Sequence, residues 1–201
     1  MNLYVLRESE QYLSVPSLKK KVMVVGAGPA GMRCALTAAK RGHEVTLYEK
    51  KPYVGGMMYP GSRSSFKEDL ARALNWFENE IEHSNITLKL NTKVTPEMVE
   101  GVNPDFLVVS IGSDPIMSEV PGMDKPHVHS AVDILSDISK YQGKKAVVVG
   151  GGEVGCETAC YLADNGFEVT LIEILNEILK ETQITEIKLR LTDLIKKRKL
   201  R

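Results

Sequence analysis

Residues 21–49 read KVMVVGAGPAGMRCALTAAKRGHEVTLYE, and this stretch decides the fold. Val22 to Val25 form a short apolar run rich in β-branched residues, the pattern of a strand buried in a parallel sheet. Gly26, Gly28 and Gly31 follow at G-x-G-x-x-G spacing, and Ala35, Leu36 and Ala39 continue with helical periodicity. Gly42 stops that helix, and Val45 to Tyr48 form a second strand that ends at Glu49. Each glycine has a mechanical reason: the first permits a tight strand-to-helix turn, the second lets a pyrophosphate approach the backbone, and the third lets helix pack on strand. The helix start offers free N–H groups and a positive dipole end. Glu49 lies 23 residues after Gly26, where a carboxylate can accept hydrogen bonds from ribose hydroxyls. The whole sequence of strand, turn, helix, strand and acid predicts dinucleotide binding; an ordinary βαβ unit with a glycine-rich turn is the plainer alternative.

The stretch occurs twice. Shifted by 124 positions, Val22–Glu49 lies on Ala146–Glu173 with thirteen identities in twenty-eight positions. The second copy reads AVVVGGGEVGCETACYLADNGFEVTLIE, with glycines at 150, 152 and 155, a helix stop at Gly166 and its acid at Glu173. Two copies imply two nucleotides held by one chain, the arrangement needed to pass a hydride from one cofactor to another.

Composition limits the alternatives. The chain of 201 residues is 43% hydrophobic and 26% charged with zero formal net charge, so neither nucleic acid nor an anionic membrane is expected as a partner. The absence of a secretory h-region and of an apolar run of spanning length points to the cytoplasm, and three cysteines fit a reducing compartment.

Met1 to Lys20 reads as an exposed lead-in ending in a basic run. After the first βαβ unit, Phe66, Leu70, Leu74, Phe77 and Ile81 define one helical face with Trp76 beside it, and Ile86, Leu88 and Leu90 alternate as a strand. Thr95 and Pro96 mark a helix start, and Phe106 to Ile111 another apolar strand closed by Gly112. Pro115, Pro121, Gly122 and Pro126 make a connecting loop, and a short helix around Ala131–Ile138 precedes the second repeat. At the far end Ile184, Ile187, Leu191 and Leu194 form a helical face, followed by basic residues that complement the helix dipole.

With both fingerprints in view, the chain resembles the two-dinucleotide flavoprotein superfamily of pyridine-nucleotide oxidoreductases. More narrowly it is similar to the flavin-plus-nicotinamide module of the 2-enoate reductase and 2,4-dienoyl-CoA reductase group. The similarity is carried by Val24–Met32, Arg41–Lys50, Gly55-Gly56 and the VVGGGEVGCE segment from Val148 to Glu157. The resemblance implies an α/β fold: a Rossmann-like FAD-binding domain with a parallel sheet over residues 21–142, then an incomplete Rossmann-like βαβα unit for NAD over 143–201. It implies FAD over Gly26, Gly28, Pro29, Ala30 and Gly31, with Glu49 on the ribose and Lys50 beside it. Gly56 and Met57 would pass near the cofactor, the backbone at Val94 near the adenine, and Ser110 and Gly112 at the end of the strand before the connecting loop. It places the nicotinamide dinucleotide on Gly150, Gly152, Glu153, Val154, Gly155 and Glu173.

The chain departs from the family pattern in three respects. The family's Ala-Thr-Gly reads Ser110-Ile111-Gly112 here, without the threonine hydroxyl. A C-terminal Gly-Asp segment that completes the flavin site is missing, as is the N-terminal barrel that carries FMN and an iron–sulfur cluster in 2-enoate-type enzymes. A separate FMN/iron–sulfur subunit that reduces substrate is the corresponding partner. Cys34, Cys156 and Cys160 cannot supply the four thiolates of such a cluster, and no C-x-x-C occurs for disulfide chemistry. His127 and His129 have no third ligand nearby, and Tyr141 and Lys145 do not share a helix. Glu173, followed by Ile174, Leu175 and Asn176 with no arginine, predicts NADH over NADPH, because a carboxylate repels a 2′-phosphate. The resulting expectation is an FAD-dependent, NADH-linked module that moves a hydride from nicotinamide to flavin, in which no side chain acts as general acid or base. A non-catalytic dinucleotide-binding fragment, or a subunit lacking the substrate domain, is the alternative.

Overall fold

The computed structural model describes residues 16–117, 120–198 and 200, so most of the lead-in lies outside the described residues. The described residues divide into two compact units, one of residues 16–59 and 69–113, the other of residues 60–68 and those from 114 onward.

The first unit is built on a parallel sheet of β1 (Lys21–Val25), β2 (Glu44–Tyr48), β3 (Ile86–Lys89) and β4 (Phe106–Val109), in the order β3-β2-β1-β4. Helix α1 (Pro29–Lys40) joins β1 to β2, α2 (Glu68–Glu82) precedes β3, and α3 (Pro96–Val102) precedes β4. The chain steps outward from β1 to β2 to β3, then crosses back to lay β4 on the other side of β1. That reversal makes a topological switch point between β1 and β4, and in open α/β sheets ligands bind at the carboxyl ends of the strands at such a point. Val22, Met23 and Val24 are buried, as the apolar run requires, and Met32, Ala35 and Leu36 pack α1 onto Val22 and Val24. Lys21 opens β1 with its N–H donating to Asp105 at 2.7 Å, while the Lys20 ammonium pairs with the same carboxylate at 3.0 Å.

The structure corrects two expectations in this unit. The face from Phe66 to Ile81 is not one helix: Ser65–Lys67 is a separate 3-10 turn, and α2 starts at Glu68. Leu74 and Ile81 are buried in the first unit, but Phe66 packs in the second, with the Arg198 guanidinium 5.6 Å from its ring centre. The β4 ladder also stops at Val109, so Ser110 and Ile111 lie beyond the paired strand.

The second unit comprises α4 (Ala131–Ser136), the parallel pair β5 (Lys145–Val149) and β6 (Glu168–Ile172), α5 (Glu153–Asp164), and α6 (Thr185–Arg198). This is the βαβα arrangement read from the repeat. Cys156, Leu179 and Leu191 form one buried cluster with Ile187 and Leu194 against it, while Ala159, Leu162 and Val169 form a second. Ile184, expected on that helical face, is 54% exposed because α6 begins one residue later. Residues 60–68 are fastened to this unit by polar contacts. Lys67 pairs with Glu157 at 2.5 Å and the Ser65 hydroxyl donates to Asp164 at 3.3 Å; the same Asp164 accepts the Arg198 fork on both oxygens at 2.6 and 2.7 Å.

Candidate functional site

Each unit carries one glycine turn, and the two turns are built alike. In the first, the Gly26 N–H donates to the Tyr48 carbonyl at 2.8 Å; in the second, the Gly150 N–H donates to the Ile172 carbonyl at 2.8 Å. Both turn glycines adopt left-handed backbone, φ 101° and 105°, which side chains resist. A Cβ on Gly31 would overlap the Gly26 carbonyl oxygen, and one on Gly155 would overlap that of Gly150. Helix packing therefore requires the third glycine of both fingerprints.

The strand-end acids lock the turns. Glu49, 7% exposed, accepts the Ala27 N–H at 2.8 Å on one oxygen and the Lys51 N–H at 2.9 Å on the other. Glu173 accepts the Gly151 N–H at 2.5 Å and the Leu175 N–H at 2.8 Å in the same pattern. The N–H groups of Leu175 and Gly151 hold the Glu173 carboxyl below the usual carboxylate range. Two of the roughly four lone-pair positions of each carboxylate remain for another donor such as a ribose hydroxyl.

The helices above these turns lack side-chain caps. Thr95 caps α3 by accepting the Met98 N–H, and Ser130 caps α4 by accepting the Asp133 N–H. At α1 and α5 the N-cap residues are Gly28 and Gly152, with no side-chain cap bond at either. First-turn N–H groups without a partner, at the positive end of a helix, are suited to an anion. Space is present as well. A Cβ added at Gly28 would meet only the Gly56 Cα, at 3.9 Å, and one added at Gly150 or Gly152 would meet nothing within 4 Å. Both turns therefore fit a pyrophosphate.

Around the first turn the structure gathers most of the expected residues. Pro29 and Ala30 are exposed at the start of α1, and the Gly55 N–H donates to the Ala27 carbonyl at 2.7 Å, drawing Gly56 close to Gly28 and leaving Met57 half-exposed beside it. The Thr92 N–H donates to the Glu49 carbonyl at 2.8 Å and the Asn91 N–H to the Lys51 carbonyl at 3.1 Å, which brings the loop carrying Val94 alongside Glu49 and Lys50. Ser110 lies beside the first turn, but its hydroxyl donates to the Val25 and Gly26 carbonyls at 3.0 and 2.9 Å and so braces the turn. Gly112 follows two residues later with open space around it. In the second unit Glu153 opens α5, Val154 is 59% exposed, and Gly155 packs beneath.

Sequence reasoning misses Leu179. Its N–H donates to the Gly151 carbonyl at 2.8 Å, the bond Gly55 makes to Ala27, and it stands 124 positions after Gly55. The internal repeat therefore runs past the strand-end acid into the following loop, which is the signal that could have revealed it. The loop is tighter here: a Cβ on Gly151 would approach Ile178 at 2.8 Å and the Glu173 carboxylate at 3.0 Å, so glycine replaces the alanine of the first turn.

The thiols are packed rather than poised. Burial pushes the Cys156 thiol up to about 12 and raises that of Cys160. Among the described residues no group of three or more His, Cys, Asp and Glu side chains could hold a metal ion, and no helix is long and apolar enough to cross a membrane.

The family model described as pyridine nucleotide-disulphide oxidoreductase matches residues 20–201. The chain belongs to this family. The NADH oxidase of Thermoanaerobacter brockii is 41% identical over 164 residues, which cover 80% of this chain and 25% of that protein. The cinnamate reductase of Clostridium sporogenes is 41% identical over 174 residues, covering 87% and 26%. The solved structure of 2-naphthoyl-CoA reductase superposes with a TM-score of 0.85 at 36% identity, covering 97% of this chain and 29% of that one. The chain thus spans about a quarter of the length of the curated relatives it matches. As in other pyridine nucleotide-disulphide oxidoreductases, the fold is α/β with a parallel Rossmann-like sheet. The disulphide of the family's description has no counterpart here, since Cys156 and Cys160 are buried free thiols and Cys34 is a lone third.

Proposed function

We propose that this chain is an FAD-dependent, NADH-linked oxidoreductase module of an enoate-reductase-like system. The observation that carries the proposal is the pair of uncapped helix starts, each above a glycine turn locked by a strand-end carboxylate. The family resemblance supports FAD on residues 21–142 and NADH on residues 143–201. Gly26, Gly28, Pro29, Ala30 and Gly31 would receive the FAD pyrophosphate, Glu49 the ribose, and the backbone near Val94 the adenine. Gly56, Met57 and Gly112 would border the remainder. Gly150, Gly152, Val154 and Gly155 would receive the NADH pyrophosphate, and Glu173 its adenosine ribose. Bound in these places, the two cofactors supply the hydride chemistry. The protein would fix the pyrophosphates, hold each ribose acceptor in place through two backbone N–H groups and offer no competing thiol.

Substrate chemistry would belong to a partner domain or subunit, consistent with relatives of which the matched residues make up only 25% and 26% and that carry the names NADH oxidase and cinnamate reductase. An FMN/iron–sulfur subunit is the form of partner proposed, and the cytoplasm is the compartment. The test is an equilibrium titration of the FAD-loaded chain with NADH and with NADPH. NADH is expected to bind at least roughly tenfold more tightly, because Glu173 repels a 2′-phosphate. Tighter NADPH binding would overturn the cofactor assignment.

A further inference from the structure

The two turns share a design, but their surroundings differ in charge. Position 29, the first residue of α1, is proline; the repeat places Glu153 at the first residue of α5. Glu153 has no hydrogen bond or ion pair among the described residues. Its neighbours are otherwise engaged: Glu157, one turn later, is paired with Lys67 at 2.5 Å, and Glu173 is held by two backbone N–H groups. An unpaired carboxylate in the first turn complements the helix dipole while the turn is empty, and it opposes any second anion brought to the same N–H groups. The surroundings also differ in enclosure. Gly56 closes on Gly28 in the first turn and Glu49 is buried, whereas the space above Gly150 and Gly152 is open.

We propose that Glu153 is an electrostatic release element: its unpaired carboxylate weakens the second turn's hold on a nucleotide pyrophosphate, so that this nucleotide exchanges while the enclosed first turn retains its own. The inference rests on the reading of the second turn as the nicotinamide nucleotide site. It makes Glu153 a determinant of affinity and of release rate, with no part in the chemistry. The carboxylate and the pyrophosphate would compete for the same positive helix end, and the cost falls on the bound state alone.

Calorimetric titration of the 201-residue chain and of Glu153→Gln with NADH and with ADP-ribose tests it. Both ligands carry the pyrophosphate, and both are expected to bind roughly three- to tenfold more tightly to the variant at low salt. Raising the salt to about 0.5 M should shrink that gain, because screening shortens the reach of the charge. Glu153→Lys should tighten binding further, and Glu153→Asp should stay near the unaltered affinity. A merely structural role would leave affinity unchanged or weaken it, without this order among the variants. Unaltered protein that binds NADH together with Gln and Lys variants that bind no tighter would overturn this inference alone. Unaltered protein that binds neither ligand would overturn the parent reading and this inference with it.

Discussion

The Glu173 carboxylate accepts the Gly151 N–H at 2.5 Å, and 124 residues earlier Glu49 does the same for Ala27 at 2.8 Å. In each case the other oxygen accepts the N–H two residues beyond the acid. The strand-end acid is therefore a structural lock as well as the proposed ribose ligand: it fixes the turn whose helix start would receive the phosphates. On the proposed reading, fold and binding would depend on the same side chain.

Replacing the first lock should destabilise the protein even without ligand. Glu49→Ala leaves the Ala27 and Lys51 N–H groups without their acceptor in a site only 7% exposed. A loss of about 2–3 kcal/mol is expected from urea unfolding. Glu49→Gln, which keeps one acceptor, should cost less.

Gly151→Ala should destabilise the second unit where alanine is native to the first. The added Cβ would approach Ile178 at 2.8 Å and Glu173 at 3.0 Å, and an overpacked contact of this kind costs about 1–3 kcal/mol. Shortening Ile178 should relieve part of it, so Gly151→Ala with Ile178→Ala should lose less than the sum of the single changes in thermal unfolding.

Leu179 sets two effects against each other. Its φ of 56° is left-handed, which costs a leucine about 1–2 kcal/mol, yet the side chain is 1% exposed in the Cys156–Leu191 cluster. Truncating a buried leucine costs about 2–5 kcal/mol, so burial wins and Leu179→Gly should be net destabilising by about 2 kcal/mol in urea unfolding.

The Arg198–Asp164 pair should make stability fall in acid. The Arg198 fork holds the Asp164 carboxyl below the usual range. A carboxyl depressed on folding contributes stability above its unfolded value, and that contribution is lost as pH falls through the folded value. Asp164→Asn should cost about 1 kcal/mol at pH 7 and show a shallower decline between about pH 5 and 3 than the unaltered chain.

Thiol reactivity should be limited to one site. With the Cys156 thiol at about 12, only about one part in ten thousand is thiolate at pH 8, and Cys160 is buried beside it. A maleimide or disulfide reagent should label Cys34 in the folded protein and all three cysteines after unfolding, counted by mass spectrometry.

Both turns, their helices and their acids are legible in the sequence because each depends on local spacing: glycines two and three apart, an apolar run before them and an acid at the next strand's end. The duplication supplies an internal check. What escapes is set by contacts far apart in sequence. Phe66 shares a helical period with Leu70 and Leu74, yet Arg198 and the α5 carboxylates draw its segment to the second unit. Ser110 stands where a cofactor contact is expected; its hydroxyl donates to two carbonyls 84 and 85 residues earlier, which no local pattern encodes. Leu179 escapes because a leucine carries no local sign of left-handed backbone; only its register with Gly55, 124 residues earlier, points to it.

The absorption spectrum of the FAD-loaded chain, recorded between about 350 and 500 nm without oxygen before and after NADH is added, tests the electron relay most directly. A flavin band at one equivalent per chain that bleaches on addition of one equivalent of NADH is the predicted result. A flavin that stays yellow while NADH is demonstrably bound would contradict it.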